Sequence, residues 1–267
     1  MLISAPLGST FKLSPDQSRP SLRRRMQTHP VLAMDSRYDR AEFIGRLRAE
    51  SPAVFASILF CDFGELNREL QAIEAAGVAA MHLDVMDGNF VPNISFGLPI
   101  VAAARRATEL PIDVHLMIAE PARYVDEFRA AGADSMIIHV EAVADPRPVL
   151  ERIRALGAIA GLAINPPTPL SAIEASLPYC DMILVMSVMP GFGGQKFDEV
   201  ALAKLQTLKS RPDVDALLEV DGGITTETIG PCAKAGANLF VAGSAIIHSD
   251  DYARSVSELR SAALRLA

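Results

Sequence analysis

The chain has 267 residues, 50% of them hydrophobic and 21% charged, which suits one well-cored globular domain or two small ones and excludes disorder and collagen-like repetition. A formal net charge of -7 leaves no overall basic field for nucleic acid or an anionic membrane, so neither is expected as a partner. No uncharged apolar run reaches the ~18 residues of a membrane span. Cys61, Cys180 and Cys232 are odd in number and scattered, which argues against a disulfide framework or a cysteine zinc site and for a reducing, cytoplasmic compartment.

The first 33 residues differ from the rest: Lys12, Arg19, Arg23, Arg24 and Arg25 stand against a single acid, Asp16. Such a composition reads as a disordered tail, or as a start upstream of Met26 or Met34, and it leaves organelle targeting open. Residues 35–50 have the pattern of a short amphipathic helix leading in. Eight β-rich runs follow: 53–59, 79–85, 112–117, 135–140, 159–164, 182–188, 217–223 and 238–245. Between them lie stretches such as ELNRELQAIEAAG with apolar residues at i, i+3 and i+4, several closed by a glycine suited to a helix C-cap. Eight βα units predict an α/β chain folded as a (β/α)8 TIM barrel over 51–267, a single domain preceded by an N-terminal extension over 1–50.

In such a barrel the chemistry sits at the C-terminal ends of the strands. Side chains alternate along a strand, so His82 and Asp84 share one face while Met81, Leu83 and Val85 share the other. Asp113, His115 and Met117 repeat the arrangement, and Glu219 and Asp221 repeat it again. The apolar faces go to the helices and the polar ones to the barrel axis. Two neutral imidazoles (His82, His115) and two carboxylates (Asp84, Asp221) make a nitrogen and oxygen ligand set suited to a divalent ion such as Zn, Mn or Fe. Asp113 and Glu219, one layer deeper, are expected to orient the histidines. Any one of these residues alone reads as an inward polar group satisfied by its neighbours; it is their convergence on one rim that points to a metal.

Glycine-rich segments follow the last three strands: Pro190 to Gln195, Asp221-Gly222-Gly223 and Ala242-Gly243-Ser244. Small residues let backbone N–H groups approach an anion closely, and loops in this part of a barrel often hold a phosphate, which predicts a phosphorylated small-molecule substrate. No GxxxxGK[ST] and no strand-GxGxxG-helix unit is present, which disfavours nucleotide cofactors. A divalent ion, a phosphate grip and two carboxylates on strands three apart round an eight-membered ring point to proton abstraction beside a carbonyl. An acid and a base on opposite sides of a stereocentre invert it, so the reaction expected is epimerisation.

The motifs HLDVMDGNFVPNISFG (82–97), DVHLM (113–117), GLAINPPTPL (161–170), VMSVMPGFGGQKF (185–197), EVDGGI (219–224) and VAGSAI (241–246) closely resemble the ribulose-phosphate 3-epimerase family, in the family's order from about residue 53 onward. The resemblance implies interconversion of D-ribulose 5-phosphate and D-xylulose 5-phosphate, in the pentose phosphate pathway or the Calvin cycle. It implies one divalent ion per subunit (Zn, Fe, Mn or Co) on His82, Asp84, His115 and Asp221, with Asp84 and Asp221 as the acid/base pair. It also implies substrate and phosphate contacts from Ser57, His115, Gly191, Phe192, Gly193, Gly194, Asp221, Gly222, Gly223, Gly243 and Ser244. Met86, Met117 and Met186 correspond to pocket-lining methionines, which the sequence alone reads as core filler. A homo-oligomer is implied too. Phe60-Cys61, Asn89 and Met189 depart from the family pattern, and Met189 adjoins the glycine loop. Two other functions stand beside this one: epimerisation of a ketohexose phosphate such as D-allulose 6-phosphate, and a catalytically silent barrel serving as a binding module.

Overall fold

Eight parallel strands close into a ring in the computed structural model, which describes residues 38–266, so the expectations for residues 1–33 lie outside the described residues. The strands are β1 (Ala53–Ser57), β2 (Ala80–Met86), β3 (Ile112–Met117), β4 (Ser135–His139), β5 (Ile159–Ile164), β6 (Met182–Met186), β7 (Leu217–Asp221) and β8 (Leu239–Ala242). Each coincides with one of the β-rich runs. Neighbours in the chain are neighbours in the ring, and β1 pairs with β8 to shut it, Ala53 standing opposite Leu239.

The helices are α1 (Arg40–Glu50), α2 (Leu66–Ala75), α3 (Leu98–Ala107), α4 (Val125–Ala131), α5 (Arg147–Ala155), α6 (Val200–Lys209), α7 (Ile229–Ala235), α8 (Ser244–Ile247) and α9 (Tyr252–Leu264). Strand and helix alternate except after β5, where two 3₁₀ segments, Leu170–Ala172 and Glu174–Tyr179, take the place of an α-helix. Pro166, Pro167, Pro169 and Pro178 crowd that connection, and each lacks the N–H that an α-helical ladder needs. Among the described residues no helix is long and apolar enough to cross a membrane.

Strand alternation sorts the core into two shells. Outward residues such as Met81, Leu83, Val85, Val114, Leu116, Leu218 and Val220 join the layer beneath the helices. Inward residues, among them Phe55, Ala80, Ile137, Ile159, Met182, Leu217 and Leu239, fill the barrel itself. Phe43 and Leu47 of α1 belong to this inner cluster, each 1% exposed. Asp39 caps the helix by accepting from the N–H groups of Ala41 and Glu42. Arg40 then pairs with Asp181 at 2.5 Å, just ahead of β6, and Arg48 with Asp215 at 3.0 Å, just ahead of β7. The lead-in helix therefore stoppers the N-terminal end of the barrel, which leaves the opposite end as the mouth.

Candidate active site

The register of the ring brings the inward polar residues of β2, β3 and β7 to one level. Asp84 stands opposite His115 across the β2–β3 ladder, and Met186 opposite Asp221 across β6–β7. His82, Asp84, His115 and Asp221 each offer a ligand atom, and these atoms lie within 4.8 Å of one another. His82 Nε2 and His115 Nδ1 are each 3.3 Å from the same oxygen, Asp84 Oδ1, and His115 Nδ1 is 4.0 Å from Asp221 Oδ2. The other Asp84 oxygen accepts the Ser57 hydroxyl at 2.6 Å.

One histidine is oriented as the sequence analysis expects. His82 Nδ1 meets Asp113 Oδ2 at 2.6 Å, and Asp113 in turn accepts the Ser135 hydroxyl. That contact directs the other nitrogen, Nε2, into the cluster, where it is buried with no hydrogen-bond partner. Glu219 plays no such part: its Oε1 lies 3.9 Å from His82 Nδ1 and neither of its oxygens has a hydrogen-bond partner. Burial and the neighbouring charge of Asp113 raise the Glu219 carboxyl well above the usual range.

The electrostatics of the cluster call for a cation. Burial opposes a charge on His82, yet Asp84 and Asp113 raise it well above an ordinary imidazole. Burial opposes the Asp84 charge as well, but His82 and His115 hold that carboxyl well below the usual range. Asp221 goes the other way, pushed up to about 7 by burial and by the charge of Asp84. An orphaned buried imidazole nitrogen facing two carboxylates fits a divalent ion, and His82, Asp84, His115 and Asp221 are the residues that can hold it. Two carboxylates in one site with affinities for protons pushed apart also form a candidate base and acid.

Above the cluster lies a pocket walled by the glycine-rich loops. Ser57, Met86, Met117, Met186, Gly191, Phe192, Gly193, Gly194, Gly222, Gly223, Gly243 and Ser244 all line it together with Asp84 and Asp221. His82 and His115 sit beneath its floor with no exposed surface. The loop after β6 is tied down from two sides. Asn93 donates to the Gly191 carbonyl at 2.7 Å, and the Gln195 amide donates to the carbonyls of Met189 and Phe192 at 2.6 and 2.7 Å. Met189 meets this network only through its backbone, and its side chain is 50% exposed.

The sequence assigned no part in the site to His139 and Phe60, both of which shape it. His139 on β4 is fully buried, with its Nε2 2.8 Å from His115 Nε2; burial lowers it to about 4. The signal was the alternation already used elsewhere, since Ser135, Ile137 and His139 share the inward face. Phe60 is the second. It ends a 3₁₀ turn (Ile58–Phe60) after β1 and forms a pocket wall, its ring 5.0 Å from that of His248. A Cβ on Gly193 would lie 2.1 Å from Phe60 Cζ, so the glycine makes room for the large residue.

Fold and mouth together define a (β/α)8-barrel enzyme whose rim carries paired carboxylates and a metal-competent cluster. The model of the ribulose-phosphate 3 epimerase family matches residues 53–247. Ribulose-phosphate 3-epimerase of Bacillus subtilis is 46% identical over 211 residues, covering 78% of this chain and 97% of that protein. The Synechocystis protein of the same name is 47% identical over 212 residues, 78% of this chain and 92% of its own length. Ribulose-5-phosphate-3-epimerase, chloroplastic, of Arabidopsis thaliana is 42% identical over 241 residues, 88% of this chain and 84% of its own. The chain belongs to the ribulose-phosphate 3-epimerase family and is an isomerase. Among solved structures, a mutant tryptophan synthase alpha-subunit from Pyrococcus furiosus superposes with a TM-score of 0.60 at 16% identity, covering 80% of this chain and 98% of that one, a likeness of fold alone.

Proposed function

We propose that the pocket interconverts D-ribulose 5-phosphate and D-xylulose 5-phosphate by proton transfer at C3, with Asp84 and Asp221 as the two exchanging groups. The observation that carries this reading is the pair itself: two carboxylates from strands three apart round the ring, each with an oxygen within 4.8 Å of the other, one held ionised and the other drawn to about 7. Ionised Asp84 takes the C3 proton, the electron pair of the broken C–H bond moves into the neighbouring carbonyl to give an enediolate, and protonated Asp221 returns a proton to the other face. The reverse reaction exchanges the two roles, and solvent resets the protons. A divalent ion held by His82, Asp84, His115 and Asp221 supplies, when bound, positive charge for the oxygens of the ketose. Ser57 steadies Asp84 through its 2.6 Å hydrogen bond, the methionines give the reacting carbons an apolar wall, and the glycine-rich loops leave room for backbone contact with the phosphate.

The full chain incubated with D-ribulose 5-phosphate in heavy water tests this, with metal analysis of the same sample. Xylulose 5-phosphate carrying deuterium at C3 is the expected product. Product without deuterium would remove the two-base mechanism, and a higher kcat/KM for D-allulose 6-phosphate would move the substrate to the hexulose class.

The barrel domain is set at 51–267, although α1 is built into its core. Homo-oligomerisation is supported by exposed apolar side chains on the rim loops, Ile94 at 76% and Met189 at 50%, and sedimentation measures it. The compartment proposed is the cytoplasm, and a fluorescent protein carrying residues 1–33 reads out any organelle address.

A further inference from the structure

On the side of His115 away from Asp84, a polar chain runs along the C-terminal end of β4. His115 Nε2 is 2.8 Å from His139 Nε2, and His139 Nδ1 is 3.3 Å from Glu141 Oε2. Glu141 is itself fixed: its Oε1 accepts the Asn165 N–H at 2.9 Å and the Thr168 hydroxyl at 2.5 Å. The loop that supplies those donors is gripped by the buried Lys204 ammonium, which donates to the carbonyls of Asn165, Pro166 and Thr168 at 2.6, 2.9 and 2.7 Å.

Donor and acceptor arithmetic gives this chain one direction. An ionised carboxylate only accepts, so His139 donates to Glu141 from Nδ1. A neutral imidazole carrying that proton has its lone pair on Nε2. Two ring nitrogens 2.8 Å apart need one proton between them, so His115 supplies it from Nε2. The lone pair of His115 is then on Nδ1, the nitrogen that faces Asp84 Oδ1 at 3.3 Å and Asp221 Oδ2 at 4.0 Å. His82, directed by Asp113, presents Nε2 to the same Asp84 oxygen. The His115 lone pair thus meets a carboxylate oxygen that a second imidazole also faces, an arrangement completed by a cation placed among the three.

We propose that Glu141 and His139 are positioning residues that set the tautomer and ring orientation of His115, aiming its Nδ1 lone pair at the Asp84–Asp221 cluster for a divalent cation. The proposal rests on the reading of His115 as a metal ligand, and it gives that ligand the same kind of support that Asp113 gives His82. Hydrogen-bond partners behind a ligating histidine are typically worth about 10–100-fold in metal affinity.

The test is made on the full chain stripped of metal and then titrated with zinc. Nitrogen-15 NMR of the imidazoles is expected to show His115 protonated on Nε2 and His139 on Nδ1. His139→Phe, which removes the acceptor, is expected to weaken zinc binding by about 10–100-fold, whereas His139→Gln, whose amide oxygen can accept from His115, is expected to stay within about 3-fold of the parent. His115 protonated on Nδ1 in the parent chain overturns the proposal, and so does a folded His139→Phe that binds zinc as tightly as the parent. Should the variant fail to fold, the tautomer in the parent chain decides alone. A chain with the expected tautomers but no epimerase turnover would remove the function reading and leave the relay standing; normal turnover with reversed tautomers does the opposite.

Discussion

Gly223 follows β7 at φ +61°, and a Cβ placed on it would lie 3.0 Å from the Phe197 nitrogen, 3.1 Å from the Gln195 carbonyl oxygen and 3.2 Å from Phe197 Cα. All three neighbours are backbone, so none can swing aside. Gly194, across the same pocket, has φ +73° and nothing within 4 Å of the corresponding position. Alanine at either residue meets the left-handed penalty of roughly 1–2 kcal/mol. At Gly223 alone the segment 195–197 must also retreat by a few tenths of an ångström, and overpacking of this kind adds about 1–3 kcal/mol. Gly223→Ala is therefore expected to lose about 2–5 kcal/mol and Gly194→Ala about 1–2 kcal/mol, read from urea midpoints at constant m. The retreat also drags Gln195, whose amide ties the glycine loop, so kcat/KM of Gly223→Ala should fall about 10–100-fold through misplacement of the loop. Equal urea midpoints for the two variants would refute the reasoning, because the contact would then contribute nothing beyond the backbone angle.

Asp84→Asn and Asp221→Asn are each expected to lower kcat by about 10²–10⁴-fold with little change in fold, measured by steady-state turnover and circular dichroism. Near-normal turnover by either would remove that residue from the exchanging pair. Burial works against the charge of Glu141, but hydrogen bonds from His139, Thr168 and Asn165 bring it down to about 2 from 4.5. Its folded form binds a proton less readily than its unfolded form, so its contribution is complete above about pH 4.5 and is lost as the pH falls through about 2. Glu141→Gln should therefore flatten the acid limb of the stability curve in urea titrations over that range; an unchanged limb contradicts the assignment. Phe43→Ala, which empties the stopper of the barrel, is expected to cost about 3–5 kcal/mol while leaving KM near its original value.

The clustering of His82, Asp84, His115 and Asp221 was legible because strand alternation leaves little choice: with Met81, Leu83 and Val85 committed to the helices, His82 and Asp84 have only the barrel axis to face. His115 and Asp221 followed by the same argument. His139 obeys that rule too, but it ends a run, SMIIHV, that is otherwise apolar, and its partner is a residue on the neighbouring strand whose nitrogen is supplied by register rather than by spacing along the chain. Phe60 was invisible as a wall because its direction is set by the 3₁₀ turn that ends β1 and by the gap at Gly193, neither of which has a period. Glu219 shows the converse limit. Parity placed it correctly beneath the rim, yet parity does not decide which inward carboxyl bonds to a histidine, and Asp113 holds the nearer position at 2.6 Å against 3.9 Å for Glu219. The helix pattern after β5 failed where prolines removed the donors that periodicity takes for granted.

The ladder between the first strand and the last has a bearing on how the chain is made. Ala53 donates to the Asn238 carbonyl, and Arg40 and Arg48 of α1 reach Asp181 and Asp215, so several partners of the earliest-synthesised part of the described chain are translated more than 140 positions later. During synthesis the edge of β1 that pairs with β8 stays open until β8 has been translated. Contacts of such long sequence separation slow folding, and the nascent chain depends on shielding during that interval.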